Sequence, residues 1–136
     1  DVAPDDDGDE GDEADEAEDD PGIDEALARI LGGGTEFILL TGGGEHGPQV
    51  VNTLFGHEGV VRTDAWPRLS GRHLGAGTTL AAAAVAAIAH GMALPEAVRE
   101  AQEFTQQALR HAYRAGMGRA LPDRFFWARG KGDDDA

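Results

Sequence analysis

Acidic side chains are concentrated at one end of the chain, and this concentration limits where a folded core can form. Residues 1–25 hold 15 of the 26 Asp and Glu residues and neither Lys nor Arg. Such a segment repels itself and has too few apolar side chains to offset the entropy of ordering. We therefore expect residues 1–22 to be disordered, either as an interaction tail or as a solvated linker, and residues 131–136 to form a disordered tail.

The remainder of the 136-residue chain has the balanced charge of an ordinary globular domain. Beyond residue 25, 11 acidic side chains are matched by 11 basic ones, so the formal net charge of −15 describes the tail. Because roughly 100–200 residues per domain is usual, we expect one domain over residues 23–130.

The composition also disfavours several classes of function. The chain has no cysteine, which excludes disulfides, thiolate metal sites and cysteine nucleophiles. Its longest apolar stretch, residues 80–89, is half of the about 20 residues that a membrane-spanning helix needs. The acidic start is unlike that of a signal peptide and opposes binding to DNA. We predict a cytoplasmic protein that contacts neither membrane nor nucleic acid.

Apolar runs bounded by glycine predict the strands of an α/β protein. Residues 37–40 form a continuous apolar run, the pattern of a strand buried on both faces of a mostly parallel sheet. The glycines at 42–44 then predict a loop. Residues 49–55 and 59–63 predict two further strands, which a turn between them joins as an antiparallel hairpin.

Three helices are predicted by periodicity and by their end signals. The first covers residues 21–31 and stops at a run of glycines. The second starts at residues 75–78, is rich in alanine and ends before Gly91. The third starts near Pro95, buries one apolar face and ends by Gly116.

The start of the second helix carries the clearest candidate for a ligand site. Residues 75–77 are Gly-Ala-Gly, so backbone amides can approach a ligand without obstruction by large side chains. The first N–H groups of a helix have no partners within it, and with the helix dipole they suit an anion such as a transferring phosphoryl group. The alternative is a tight loop that needs glycine only for its shape. The segment lacks the Lys-Ser/Thr pair of a Walker A loop and the third spaced glycine of a dinucleotide fingerprint.

Taken in order, six segments resemble the C-terminal half of the hydroxymethylpyrimidine/phosphomethylpyrimidine kinases of thiamine biosynthesis, which are ribokinase-like enzymes. The resemblance spans residues 24–130 without large gaps. The glycine loop is shared among ribokinase-like kinases, whereas the third helix and the closing segment, residues 122–127, are more specific. The closing segment is aromatic and apolar, so we expect it to dock on the folded body. The segments are Phe-Ile-Leu-Leu-Thr-Gly-Gly (37–43), Gln-Val-Val-Asn-Thr-Leu-Phe (49–55), Arg-Leu-Ser-Gly (68–71), Gly-Ala-Gly-Thr-Thr-Leu-Ala-Ala-Ala (75–83), Leu-Pro-Glu-Ala-Val-Arg-Glu-Ala-Gln-Glu-Phe-Thr (94–105) and Gly-Met-Gly-Arg-Ala-Leu-Pro-Asp-Arg-Phe-Phe-Trp (116–127).

The resemblance implies part of a three-layer α/β/α sandwich and a kinase that uses ATP and Mg²⁺. It implies phosphorylation of hydroxymethylpyrimidine and then of its monophosphate, with this chain supplying the anion-hole half. The family's pyrimidine-binding residues belong mainly to an N-terminal half, which is therefore an expected partner. By resemblance, the anion hole for the transferring phosphoryl group consists of Gly75, Ala76, Gly77 and Thr78. The residues near the nucleotide phosphates are, by resemblance, Thr41, Gly42 and Gly43.

Two positions depart from the family's pattern of His-Gly-(small)-Gly-Cys-Thr. Leu74 stands where the family has His, and Thr78 stands where it has the Cys of the catalytic-base position. A thiol can be activated as a thiolate, whereas a threonine hydroxyl is no comparable base at neutral pH. General-base catalysis contributes about 10²–10⁴-fold, so its loss predicts either a weak kinase or a degenerate copy. An alternative role for Thr78 is to cap the helix.

The remaining candidates fit simpler explanations. The five histidines show no metal-ligand spacing, and His73 beside the glycine loop is either a phosphate contact or an ordinary loop residue. Arginines give the last third of the chain a basic bias, which helix-surface ion pairs explain without nucleic acid.

Three functions are consistent with the sequence. The chain is part of an active kinase, a non-catalytic phosphate-binding module, or a fragment without a function of its own. Half of a sheet leaves an open edge strand, which invites pairing with another chain. We therefore expect the isolated chain to be incomplete or weakly active, and to fold poorly or associate with itself as a homo-oligomer.

Overall fold

The computed structural model describes residues 21–44, 46–71 and 73–129. The disorder predicted for residues 1–20 and 131–136 lies outside the described residues. The chain divides into two compact units, Asp1–Thr35 and Glu36–Ala136. None of the helices in the described ranges combines the length and the apolar character that a membrane crossing requires.

The described part of the first unit is helix α1, Pro21–Gly32. Helix α1 starts at Pro21, two residues before residue 23, where we expected the folded domain to begin. Arg29 and Glu25 form an ion pair of 3.0 Å across one turn, an arrangement that supports an exposed helix modestly. The helix ends at the glycine run, where Gly34 takes a φ of +109°. The predicted first helix is thus confirmed.

The second unit contains one three-stranded antiparallel sheet. Its strands are β1, Ile38–Gly43, β2, Gln49–Gly56, and β3, Gly59–Pro67, in the order β1-β2-β3. The predicted hairpin of β2 and β3 is confirmed. The mostly parallel sheet is not seen among the described strands, because β1 pairs antiparallel with β2. The connection between them is too short for the crossover that parallel strands require.

Burial of the sheet is one-sided. Asn52 and Leu54 of β2 are buried, and helix α3, Leu94–Arg110, packs on that side against β3. The run predicted to be buried on both faces is instead partly exposed, at Phe37 and Leu40 in particular. No helix of the second unit covers the other side of β1 within the described residues, and that is the reason for the difference.

Helix α2, Ala76–Ala89, packs along α3. It ends at a His90 C-cap, and Gly91 beyond it has a φ of +91°, as its position predicts. Helix α3 ends at Arg110, before the predicted stop at Gly116. The buried residues of α3 are Ala97, Val98, Ala101, Gln102, Thr105 and Ala108.

The closing segment docks on α3, as its apolar character predicts. The N–H of Asp123 donates to Ala108 O at 2.9 Å, and Asp123 itself is buried. The ring of Phe126 lies 5.4 Å from that of Phe104 and 5.5 Å from that of His111. These contacts carry the end of the chain back toward the start of α2.

Candidate functional site

A β-bulge shapes the end of β1. The pairing of β1 with β2 shifts between Leu40 and Gly43, and Gly42 has a φ of +82°, which side chains other than glycine adopt at a cost. The N–H of Gly42 donates to Asn52 Oδ1 at 3.1 Å instead of to the β2 backbone. Glycine at 42 and an amide at 52 therefore fix this turn together.

The next residue approaches β2 too closely for a side chain. A Cβ added at Gly43 would lie 2.9 Å from the carbonyl oxygen of Val51, a distance that real Cβ atoms do not show. Arg68 then holds the loop that follows, donating to Gly44 O at 2.7 Å and to Gly47 O at 2.9 Å. The loop predicted at residues 42–44 is therefore wrong for Gly42 and Gly43, which belong to β1, while Arg68 holds Gly44 beyond the strand.

The start of α2 presents free backbone donors. Gly75 is its N-cap, with a φ of +92°, and Thr79 N–H makes the first bond into the helix, to Gly75 O at 3.0 Å. The N–H groups of Ala76, Gly77 and Thr78 precede that bond and have no acceptor within the helix. The alternative role of Thr78 as N-cap is wrong, because Thr78 is the third residue of the helix and no side chain caps it.

A guanidinium lies beside this helix start. Arg124 Nε donates to Thr79 Oγ1 at 3.0 Å, and the same hydroxyl donates to Gly75 O at 2.8 Å. A Cβ at Gly75 would lie 3.5 Å from Arg124 Nη2. The closing segment therefore adds a positive charge next to the positive end of the helix dipole, and both favour an anion.

One cavity of about 260 Å³ joins the end of β1 to the start of α2. Thr41 and Gly42 line it from the sheet, and Ala76 and Gly77 line it from the helix. A Cβ added at Gly77 would meet no atom within 4 Å, so this stretch of backbone is open to a ligand. The apolar part of the lining consists of Val50, Trp66, Pro67, Leu69, Leu80 and Leu109.

The other candidate residues lie around this cavity rather than in it. Thr78 is exposed and lines a neighbouring groove of about 420 Å³ between α2 and α3. Gly75 and Leu74 line a third depression of about 280 Å³. Gly43 borders none of the three. The fold thus brings the end of β1 and the start of α2 together around one cavity. It turns the side of α2 that carries Thr78 toward the groove between α2 and α3.

His73 also lines the cavity of about 260 Å³ and is half-buried. A single parallel bridge pairs it with Ala120, and the N–H of Leu74 donates to Ala120 O at 2.9 Å. The backbone before the glycine turn is therefore anchored, and the imidazole reaches the cavity from a fixed position.

Sequence reasoning missed a polar network behind the cavity. Asn52, Trp66 and Gln102 line the cavity and are joined by hydrogen bonds to one another and to Asp64. Hydrogen bonds to Asp64 raise the pKa of Arg62 above its usual value. The available signal was a single amide in the apolar strand Val-Val-Asn-Thr-Leu-Phe, at a position that the alternation of the strand turns toward the core.

Comparisons with known proteins agree on one family. A sequence model described as phosphomethylpyrimidine kinase matches residues 12–123. A hydroxymethylpyrimidine/phosphomethylpyrimidine kinase of Streptomyces coelicolor is 33% identical over 118 residues, which cover 84% of this chain and 42% of that relative. The chain thus spans less than half the length of the relative that it matches.

Solved structures show the same fold at lower identity. A Bacillus subtilis pyridoxal kinase in complex with ADP matches with a TM-score of 0.70 and 23% identity, over 81% of this chain and 42% of that one. A Staphylococcus aureus pyridoxal kinase in complex with AMP-PCP and pyridoxal matches with a TM-score of 0.70 and 21% identity, over 80% and 41%. The fold is therefore an α/β fold similar to that of pyridoxal kinase.

Proposed function

Because the chain belongs to the phosphomethylpyrimidine kinase family, we propose that residues 23–130 form the phosphate-binding part of a kinase. The complete enzyme transfers a phosphoryl group from ATP to hydroxymethylpyrimidine and to its monophosphate. Gly75, Ala76, Gly77 and Thr78 receive the transferring group, and Thr41, Gly42 and Gly43 lie near the nucleotide phosphates.

The observation that carries the proposal is the shared cavity. Two segments that are 35 residues apart in the chain, at Thr41 and Ala76, line one space of about 260 Å³. Free amides at the start of α2 border it, and the guanidinium of Arg124 lies at the same helix start, where it lines the two neighbouring pockets. Phosphoryl transfer depends mainly on such positioning and charge stabilisation. The apolar lining on the side of Leu80 and Leu109 suits a nucleotide base.

The chemistry of the described residues also bears on the metal ion. Mg²⁺ takes oxygen ligands and is usually held by one or two carboxylates together with substrate phosphates. No group of three or more His, Asp or Glu side chains within 21–44, 46–71 and 73–129 is arranged to hold a metal. A nucleotide-bound Mg²⁺ would therefore take most of its ligands from phosphate oxygens and water, and this chain would contribute amides and cations to the phosphates.

Thr78 stands where the resemblance places the catalytic base, and a threonine hydroxyl is no comparable base at neutral pH. Thr78 has no acidic proton near neutral pH, and it lines the groove beside the cavity. This position favours a second candidate function, a phosphate-binding module that lacks the base. The two functions differ in turnover and not in nucleotide binding.

A second polypeptide segment completes the domain in this proposal. The chain spans 42% of its curated relative, and α2 carries no charged residue while exposing Val85 by 66%. Strand β1 is at one edge of the sheet. An N-terminal half covering α2 and extending the sheet beside β1 would give the three-layer, mostly parallel sandwich. We place the assembled enzyme in the cytoplasm, and a homo-oligomer of this chain is the competing use of the same surfaces.

The test measures both the Kd for ATP and the ATP-dependent phosphorylation of hydroxymethylpyrimidine by the whole gene product, with Gly77→Asp as the diagnostic variant. A Cβ fits at Gly77, so the variant should fold, and its carboxylate would repel a phosphoryl group at the helix start. Gly118→Asp is the matched control, since Gly118 also has open space and does not line the cavity. Loss of ATP binding in the first variant alone supports the proposal. Equal binding by both contradicts it.

A further inference from the structure

Two buried amide side chains connect the end of β1 to the body of the domain. Asn52 on β2 is 8% exposed and Gln102 on α3 is 3% exposed. Asn52 Nδ2 donates to Gln102 Oε1 at 3.0 Å, while Asn52 Oδ1 accepts the N–H of Gly42 at 3.1 Å. Buried amides must satisfy their donors and acceptors within the protein, so this pair is a structural link and not a surface contact.

The orientation of the Gln102 amide is fixed by its four hydrogen bonds. Its nitrogen donates to Asp64 Oδ2 at 3.2 Å and to the carbonyl oxygen of Val98 at 3.1 Å. Its oxygen accepts from Asn52 and from the indole N–H of Trp66, the latter at 2.8 Å. A rotated amide would set oxygen against two acceptors and nitrogen against two donors. The hydrogen bonds therefore run in one direction, from the N–H of Gly42 in β1 through Asn52 and Gln102 to the carboxylate of Asp64, which accepts the last of them.

The bulge explains why Gly42 depends on this link. A bulge removes a residue from the regular ladder, and the N–H of Gly42 finds its acceptor in Asn52 instead. Without that acceptor the N–H would be left unpaired at the cavity wall. A backbone group that loses its partner is free to move away from the geometry that binds a ligand.

We propose that Gln102 is a positioning residue for the nucleotide site. Through Asn52 it holds the backbone of Gly42 in the geometry that binds the nucleotide phosphates. The inference rests on the proposed function, because Gly42 lines the same cavity as Gly77. Small displacements of a binding backbone weaken its contacts steeply.

The chain offers a matched control for the test. Gln106 lies one turn further along α3, lines the same cavity and donates to Pro67 O at 2.9 Å. It has no bond to Asn52. Gln102→Leu and Gln106→Leu therefore remove the same chemical group from the same helix and the same cavity, and only the first interrupts the path to Gly42.

Two measurements on the whole gene product test the link and its purpose separately. The first is amide hydrogen exchange of Gly42, followed by NMR, which needs no nucleotide. The second is the Kd for ATP, read from the fluorescence of Trp66 in a Trp127→Phe background, because Trp66 lines the cavity and Trp127 does not. The variants are Gln102→Leu, Asn52→Leu, their combination, and Gln106→Leu.

We expect Gln102→Leu and Asn52→Leu each to speed exchange at Gly42 and to raise the Kd for ATP about tenfold, because each removes hydrogen-bond partners from buried polar groups. The combined variant should bind ATP no more weakly than either single variant, since both interrupt one path. Gln106→Leu should leave exchange at Gly42 unchanged, and its Kd for ATP gives the effect of losing an amide from the cavity lining without losing the link to Gly42.

Each of the following results would contradict one part of the proposal. If the rate of hydrogen exchange at Gly42 is unchanged in Gln102→Leu, Gln102 does not hold the backbone of Gly42. Faster exchange with an unchanged Kd, in a protein that binds ATP, removes the positioning role and leaves the proposed function standing. An unsubstituted protein that binds no ATP overturns the proposed function and the positioning role with it.

Discussion

Arg124 donates a hydrogen bond to the hydroxyl of Thr79 at 3.0 Å and so ties the last segment of the fold to the first turn of α2. Thr79 is buried, and its hydroxyl also donates to Gly75 O. One hydroxyl thus fixes both the N-cap of the helix and the cation beside it. The helix start is held by the end of the chain, and this contact is open to direct test.

Thr79→Val should destabilise the protein by about 1 kcal/mol, because the shape is kept while two hydrogen bonds are lost at a buried position. Urea denaturation of the whole gene product measures the change. Thr78→Val is the control, since Thr78 is exposed, and its effect should stay within about 0.5 kcal/mol. Equal destabilisation by the two variants would show that the Thr79 hydroxyl does not hold the helix start.

Gly42→Ala and Gly77→Ala should change stability in opposite directions. Gly42 has a φ of +82°, where an alanine costs about 1–2 kcal/mol. Gly77 is helical with open space around its Cβ position, so alanine should stabilise by about 0.5–1 kcal/mol. Thermal unfolding of both variants measures the pair. A stabilising Gly42→Ala would contradict the bulge at the end of β1.

Thr78→Cys should raise turnover of hydroxymethylpyrimidine, by up to about 10²-fold, if a thiolate at this position can serve as general base. The comparison is kcat for the unsubstituted protein, Thr78→Cys and Thr78→Ala. Thr78→Ala should match the unsubstituted protein, because the threonine hydroxyl contributes no base. An unchanged kcat in Thr78→Cys would place the base elsewhere and favour the reading of Thr78 as a residue of the neighbouring groove.

The 136-residue chain alone should associate with itself through the uncharged face of α2. Val85 and Ile88 are exposed there, and an apolar patch without a partner favours association. Val85→Lys should reduce the association constant measured by analytical ultracentrifugation. Met117→Lys is the control, because Met117 is fully exposed outside α2. A sharp melting transition that does not depend on concentration would contradict the prediction.

The helices and the hairpin were predictable because their signals are local. The alanine-rich segment ending before Gly91 and the amphipathic segment after Pro95 form α2 and α3, as periodicity and end signals indicate. The strand at β1 was also predicted, but its predicted burial on both faces was wrong. A continuous apolar run indicates that a strand needs cover on both faces, and the described residues cover one side only.

Residues of the site were predictable only where the backbone itself carries the chemistry. A turn of small residues before a helix can be predicted from the sequence. In the structure, Ala76 and Gly77 line a cavity together with Thr41 and Gly42. The network of Asn52 and Gln102 could not be read in this way, because its members are 50 positions apart. The inward position of Asn52 in an apolar strand indicates a buried amide, but nothing in the sequence identifies Gln102 as its partner.

The sequence by itself determined the elements, the glycine turns and the family, since these depend on neighbouring residues and on ordered motifs. Only the tertiary structure decided which sides of those elements meet. It set Gly77 toward the end of β1 and Thr78 toward the groove beside α3. Consecutive residues of a helix point about 100° apart, so the packing of α2 on α3 decides which of them faces the cavity.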